Sequence, residues 1–354
     1  MKKIFFVLIC IACFSEAVYG QTNSLLKLKS RLKVSGEIDN NIGEDYNNGM
    51  SDKALKIFSN LEASGVFSNK TYYKVSMNSG FRMYSVYERE NRFVGNIKGN
   101  ISKSLPNNIL IGINGVVYYD KYNENSRNNN SYLGEGYISI PKSIVFLGDI
   151  DLYYQNLESN YVHDDFYNFS ESCYSISMGR KVNNRTSLSV FTRLGERDYK
   201  RNAFDKKGNN NFFYKDVAQN DRSNEIGINF QYFRKFLIQT ILLHRNNISN
   251  SYGFSYIEKK LSVIFGRKML RNYMLKLYFD IESKRYKDPG EMFVIVDLNE
   301  DKEQDNRSIV ELSRSINENI DFEVRMEWSH NESRFRNLYY SKYLFSTGFL
   351  YKFY

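Results

Sequence analysis

The chain reads as all-β: a transmembrane, antiparallel, up-and-down β-barrel of about sixteen strands, roughly fourteen to eighteen being compatible with the pattern. Three observations predict it. Apolar Tyr73, Val75, Met77, Phe81 and Met83, broken only at Ser79, alternate with Lys74, Ser76, Asn78, Gly80 and Arg82, and this two-residue period recurs nearly to Tyr354. The chain opens with an export signal. The connections between alternating runs are short and long in turn, as the two ends of a membrane barrel require.

The signal comes first in the chain. Lys2 and Lys3 precede an apolar run from Ile4 to Phe14, and Ser15 to Gly20 place Val18 and Gly20 ahead of an expected cut before Gln21. This gives residues 1–20 as signal peptide and 21–354 as one barrel domain. The signal's apolar core is too short for a membrane helix, and no later stretch approaches the roughly 20 apolar residues such a helix needs. Cys10 and Cys13 leave with the signal, so the mature chain keeps Cys173 alone, read as a small packed residue.

Cutting at clusters of Gly, Pro, Asn and Asp gives the strands in order. The first two, 24–39 and 54–67, flank the polar link Asn40–Lys53, and 71–84 follows the short link Ser68–Lys70. The intermediate link Ser85–Asn91 leads to 92–103, Ser104–Asn108 to 109–120, and Lys121–Asn130 to 131–140. Pro141–Lys142 turns into 143–155, Asn156–Tyr167 leads to 168–181, and Val182–Arg185 turns into 186–195. The long link Glu196–Arg222 precedes 223–233, Arg234–Lys235 turns into 236–246, and Asn247–Tyr252 leads to 253–266. Arg267–Arg271 precedes 272–283, Lys284–Arg307 precedes 308–315, Ile316–Asn319 precedes 320–329, and His330–Tyr339 leads to 340–354. Tight turns belong on the periplasmic side, so both termini are expected there. Pro106, Pro141 and Pro289 all fall in connections, where a residue that cannot donate a ladder hydrogen bond belongs. A periplasmic propeller or sandwich would have strands of about 5–6 residues and no reason to alternate its links.

Bulk composition agrees. A mean hydropathy of −0.53 suits strands of which only alternate residues meet lipid. Aromatic residues make up 16% of the 354, with 29 Tyr and 26 Phe, enough for a girdle at each membrane interface. Trp328, on the apolar parity of Phe322, Val324 and Met326, is expected near the outer interface. The net charge of +9 is modest and dispersed, and with the export signal it argues against a nucleic-acid partner.

The polar parity carries the candidate site. Lys74, Arg82, Lys98, Arg193, Lys276 and Arg325 face the lumen with Asp149, Asp151, Asp280, Glu323 and Glu327, as do Lys56 and Glu62. The signs nearly balance, so no single-sign selectivity ring forms. Early strands are mostly basic and the seventh and fifteenth acidic, which would support a transverse field. Pairing between neighbouring strands accounts for the same charges, with Arg325 between Glu323 and Glu327. Tyr72, Tyr118, Tyr153 and Tyr278 also point inward, either as stacking surfaces for sugars or as packing in a filled lumen.

No catalytic constellation emerges, so the reading is non-enzymatic, with no cofactor and no metal. His163, His244 and His330 lie at or beyond the outer rim, and His163-Asp164-Asp165 reads as a solvated loop. The Lys284–Arg307 link contains apolar Met292-Phe-Val-Ile-Val-Asp297, which would extend a hairpin, plug the lumen or dock a partner.

Two stretches resemble known barrels. Tyr343-Leu-Phe-Ser-Thr-Gly-Phe-Leu-Tyr-Lys-Phe-Tyr354 resembles the aromatic C-terminal signal by which the insertion machinery recognises outer-membrane barrels, carried by Phe349, Tyr351, Phe353 and Tyr354. Lys352 departs from it by sharing parity with Tyr354. Ser35-Gly36-Glu37-Ile38-Asp39-Asn40-Asn41-Ile42 looks like the opening strand of outer-membrane barrels associated with exopolysaccharide export. That resemblance implies a wide conduit in the bacterial outer membrane, surrounded by its lipid and working with periplasmic export components. The expected function is a passive pore or export conduit, with a closed structural or adhesin barrel binding a partner through its loops as the alternative.

Overall fold

The computed structural model describes residues 26–42, 49–67, 70–123, 128–141, 148–162, 165–207, 211–269, 272–288, 304–332 and 340–353. The expected signal peptide, His163, Asp164, Pro289, the 292–297 stretch and Tyr354 lie outside these residues. The strands are β1 (Leu26–Asp39), β2 (Asp52–Val66), β3 (Thr71–Tyr84), β4 (Arg92–Ser104), β5 (Leu110–Tyr122), β6 (Asn129–Ile140), β7 (Asp149–Tyr161) and β8 (Phe169–Asn183). They continue as β9 (Thr186–Lys207), β10 (Asn211–Phe233), β11 (Phe236–Ser249), β12 (Tyr256–Lys268), β13 (Tyr273–Tyr286), β14 (Gln304–Ser315), β15 (Ile320–Glu332) and β16 (Tyr340–Phe353).

Each strand pairs antiparallel with its neighbours in sequence, and β1 pairs with β16 to close the barrel. Closure removes the two edges that an open sheet of this size would present. The end where β1 begins and β16 finishes is called proximal here; the opposite end is distal.

The two faces separate as the alternation predicts. Outward positions carry Ile97, Ile101, Ile113, Leu194, Ile226, Leu242, Ile281 and Met326, and Ile113 is 70% exposed. Apolar area of this extent around a closed barrel suits lipid and not water. Outward aromatic pairs gather at both ends: Phe93 with Tyr119 and Tyr154 with Tyr174 distally, Tyr232 with Phe236 and Phe322 with Phe349 proximally. Trp328 is outward near the distal end, stacked on His330, its indole N–H donating to Ser341 Oγ at 3.2 Å. The terminal register holds: Tyr343, Phe345, Phe349, Tyr351 and Phe353 form the outward row, and Lys352 turns inward to Asp321 at 2.6 Å.

The strand boundaries differ from the sequence reading mainly at the distal end. β7 runs to Tyr161, β11 to Ser249, β13 to Tyr286 and β15 to Glu332, each beyond its expected limit, and β14 starts earlier, at Gln304. The largest correction is 196–222, expected as a loop: β9 and β10 continue through it as a hairpin of 22 and 23 residues. Outward residues there are Glu196, Asp198, Asn220 and Arg222, so the strands run past the lipid into water, where the apolar–polar contrast disappears. At the proximal end β7 starts at Asp149 and not at 143; residues 143–147 lie outside the described ones.

The seam between β1 and β16 explains the Asp39-Asn40-Asn41 stretch locally. Asp39 is fully buried; it accepts from the Asn41 amide at 3.1 Å and the Tyr84 hydroxyl at 3.1 Å, and pairs with Lys342 at 2.9 Å. The Asn40 side chain accepts from Tyr343 N at 2.7 Å, and Asn41 Nδ2 donates to Ser341 O at 3.2 Å. Ile42 then packs with Ala54 and Tyr84 in a small core at the distal rim.

Candidate functional site: the inner wall of the barrel

The inner wall is polar because the same parity that puts Ile and Val on lipid puts Lys, Asn and Glu opposite them. The structure places Lys74, Arg82, Lys98, Asp149, Asp151, Arg193, Lys276, Asp280, Glu323, Arg325 and Glu327 on this inward face.

Most of these groups are held by partners one or two strands away. Glu37, its side chain 1% exposed, lies 2.8 Å from Arg82 Nε and 3.6 Å from Lys56 Nζ; the Arg82 contact is off line and acts as an ion pair more than a hydrogen bond. Lys74 meets Glu62 at 2.9 Å, Lys276 meets Glu311 at 2.8 Å, and Glu323 pairs with Lys33. Arg325 and Arg307 both reach Glu327 at 2.6 Å, so Arg325 bridges to one of its two same-strand acids only. Asp280 accepts from the Tyr278 hydroxyl at 2.7 Å and pairs with Lys260 at 3.2 Å. Asp151 accepts from Ser177 Oγ at 3.2 Å. Lys98 forms no ion pair among the described residues, and Arg193 Nε is buried without a hydrogen-bond acceptor.

The charges are nevertheless unevenly spread around the circumference. Inward positions of β1–β4 carry nine basic residues, including exposed Lys27, Lys29 and Arg31, against four carboxylates, Glu37, Asp39, Asp52 and Glu62. Inward positions of β5–β8 carry five carboxylates, Asp120, Glu135, Asp149, Asp151 and Glu171, against Lys181. A solute in the lumen therefore meets a basic wall beside an acidic one. The acids of β15 are consumed by pairing and add no field of their own.

Sequence reasoning did not find a cluster at the distal mouth. Arg201, buried on the inner face of the β9–β10 extension, lies 4.3 Å from the Tyr199 ring, 4.8 Å from Phe254 and 5.0 Å from Phe166. Its Nε donates to Gln219 Oε1 at 2.8 Å. Phe166 comes from the β7–β8 link and Phe254 from the β11–β12 link, so one guanidinium ties two loops to the hairpin. The inward parity of Tyr199 and Arg201 was readable once the strand was known to continue. Asp205, toward the hairpin tip, has its carboxyl held below the usual range by the Lys206 N–H and by Lys215, 3.3 Å away. Among the described residues no group of His, Cys, Asp and Glu is placed to hold a metal ion.

No protein-family model matches the chain, and no curated protein does. Among solved structures, OccK8 (OprE) of Pseudomonas aeruginosa superposes with a TM-score of 0.50 at 9% identity, over 93% of this chain and 98% of that one. The likeness is one of fold. OccAB3 of Acinetobacter baumannii gives 0.46 at 8% identity over 93% and 99%, and a bacterial polysaccharide outer membrane secretin gives 0.45 at 9% over 92% and 97%.

Proposed function

We propose that the chain is a bacterial outer-membrane channel, a passive aqueous conduit with no catalytic step, inserted with both termini on the periplasmic side. The observation that carries this is the state of the inner wall: its ion pairs join strands along the wall, leaving side chains such as Lys74 half-exposed to the lumen. A sixteen-strand barrel leaves an aqueous interior unless something fills it. The reading implies a cleaved signal peptide, delivery to the barrel-insertion machinery through the aromatic C-terminus, and surrounding outer-membrane lipid. Export of a polysaccharide with periplasmic components is the narrower form, and it rests on the opening-strand resemblance. Planar-bilayer recordings on refolded protein test the proposal: stepwise ohmic conductance is expected, and a folded barrel that passes no current refutes it.

The β9–β10 hairpin supports a second reading. Its strands outrun the other strands by seven residues or more, which at about 3.3 Å each is about 23 Å of ribbon standing beyond them. A ribbon so placed, stiffened by Arg201, is suited to contact a partner outside the cell, with the barrel as its anchor. A closed barrel that binds such a partner without conducting favours this reading.

A further inference from the structure

We propose that the inner wall of β2–β7 carries a binding track for neutral oligosaccharides, centred on Tyr118; the inference deepens the conduit reading and rests on it. One cross-strand row contains Asn60, Asn78, Asn96, Tyr118, Ser131 and Ser159 in register, with no charged residue in it. Asn60 Nδ2 donates to Asn78 Oδ1 at 2.8 Å, and Asn78 Nδ2 donates to Asn96 Oδ1 at 2.9 Å. The chain of amides ends at Asn96, whose two N–H groups take no partner among the described residues, directly beside Tyr118. Tyr118 is 44% exposed, and among the described residues its ring meets no other ring and its hydroxyl makes no hydrogen bond. Among the described residues its ring is thus open to a solute in the lumen.

The row widens into a recess of about 280 Å³ bounded by Phe58, Asn78, Arg92, Asn96, Tyr118 and Asp120, with Val94 and Phe58 packed over Gly80. This is near the lower end of ligand-pocket volumes, about 300–1,000 Å³, and suits a single pyranose more than an extended ligand. A pyranose offers an apolar C–H face and a rim of hydroxyls that both donate and accept. Tyr118 and Phe58 supply rings for the face, and the amides of Asn78 and Asn96 donate and accept for the rim. Arg92 Nε donates to Asp120 Oδ1 at 2.8 Å, so the one charged pair in the recess is internally compensated. The recess itself thus carries no net charge, which suits an uncharged sugar.

The row is also a path. Asn60 lies eight positions from the distal start of β2, whereas Ser159 lies two from the distal end of β7. The row thus climbs six residues, about 20 Å along the strands, from mid-wall toward the distal mouth.

The test uses the refolded full-length barrel in planar bilayers, with maltohexaose, isomaltohexaose and xylohexaose as neutral probes and trigalacturonate as the acidic one. Neutral probes should lower the open-channel current reversibly and saturably, and Tyr118→Ala should raise the half-blocking concentration about five- to tenfold with the open current retained. Asn96→Leu should weaken block similarly, and both variants should keep the heat-modifiable gel shift of a folded barrel. Isothermal titration of the same sugars into detergent-solubilised protein reads the site whether or not ions pass. An open current with no neutral sugar binding by either method, block unchanged in Tyr118→Ala, or tighter block by trigalacturonate would each overturn the proposal. Absence of current with sugar binding intact would overturn the conduit reading instead.

Discussion

The Arg245 bridge offers the sharpest test of how the inner wall is held together. Arg245 lies 2.7 Å from Glu225 through Nη2 and 3.2 Å from Glu258 through Nη1, while its Nε donates to Glu225 at 3.0 Å. The two carboxylates are 3% and 6% exposed, but the guanidinium is 29% exposed, so lumen water reaches only one member of the triad. Arg245→Met keeps the apolar stem and strips the charge, leaving two sequestered carboxylates facing each other. Removing one partner of a buried pair costs about 3–5 kcal/mol. Water at the arginine side screens part of that, and we expect a loss of about 2–4 kcal/mol. Urea unfolding of the barrel in lipid vesicles, followed through the sole tryptophan, Trp328, measures it. The triple variant with Glu225→Gln and Glu258→Gln should return to within about 1 kcal/mol of the parent, because an absent network needs no compensation. A single variant within about 0.5 kcal/mol of the parent refutes the reasoning, since that is the scatter of ordinary surface substitutions.

Other substitutions probe other parts of the wall. A methyl on Gly348 would collide with the Val34 carbonyl and with Ser35 across the β1–β16 seam, so Gly348→Ala should sharply lower the yield of heat-modifiable, refolded barrel; normal yield contradicts the packing. Arg201→Met removes the cation from the Tyr199, Phe254 and Phe166 rings, and hydrogen exchange should rise in 199–204 and in the 250–255 link while the proximal half stays protected. Lys74→Glu with Lys98→Glu reverses two charges on the basic wall, and the reversal potential under a salt gradient should move toward cation preference; no movement would mean that this wall lies away from the ion path.

How much could be read beforehand follows from where contrast exists. Between lipid and lumen, each residue type declares its face, so the strand number and the parity of Lys352 are legible. Past the lipid the outer face is wet, and the inner face packs charged and aromatic side chains around Arg201. Glu196, Asp198 and Lys200 alternate with Arg197, Tyr199 and Arg201 without an apolar row, so the sequence of the hairpin there reads as a loop. The inner-wall partners were only half legible. Arg325 was placed between Glu323 and Glu327, but Glu323 turns to Lys33, which the sequence sets 290 positions away and only barrel closure brings near. The band from Asn60 to Ser159 was illegible for a related reason. It belongs to no single strand, and it exists only once five registers are fixed.

The β1–β16 ladder sets the order in which the molecule can assemble. Fifteen of the sixteen pairings join strands adjacent in sequence, so each closes a short segment at small entropic cost and can form progressively. The sixteenth joins residues some 300 positions apart, as in the bond from Tyr343 N to Asn40. It cannot form until the last strand is present. Up to that moment the chain is a curled sheet with two raw edges, able to pair with any other strand it meets. Asp39, Asn40 and Lys342 thus act as a latch: they do little while the barrel grows, and they turn its final encounter into a commitment.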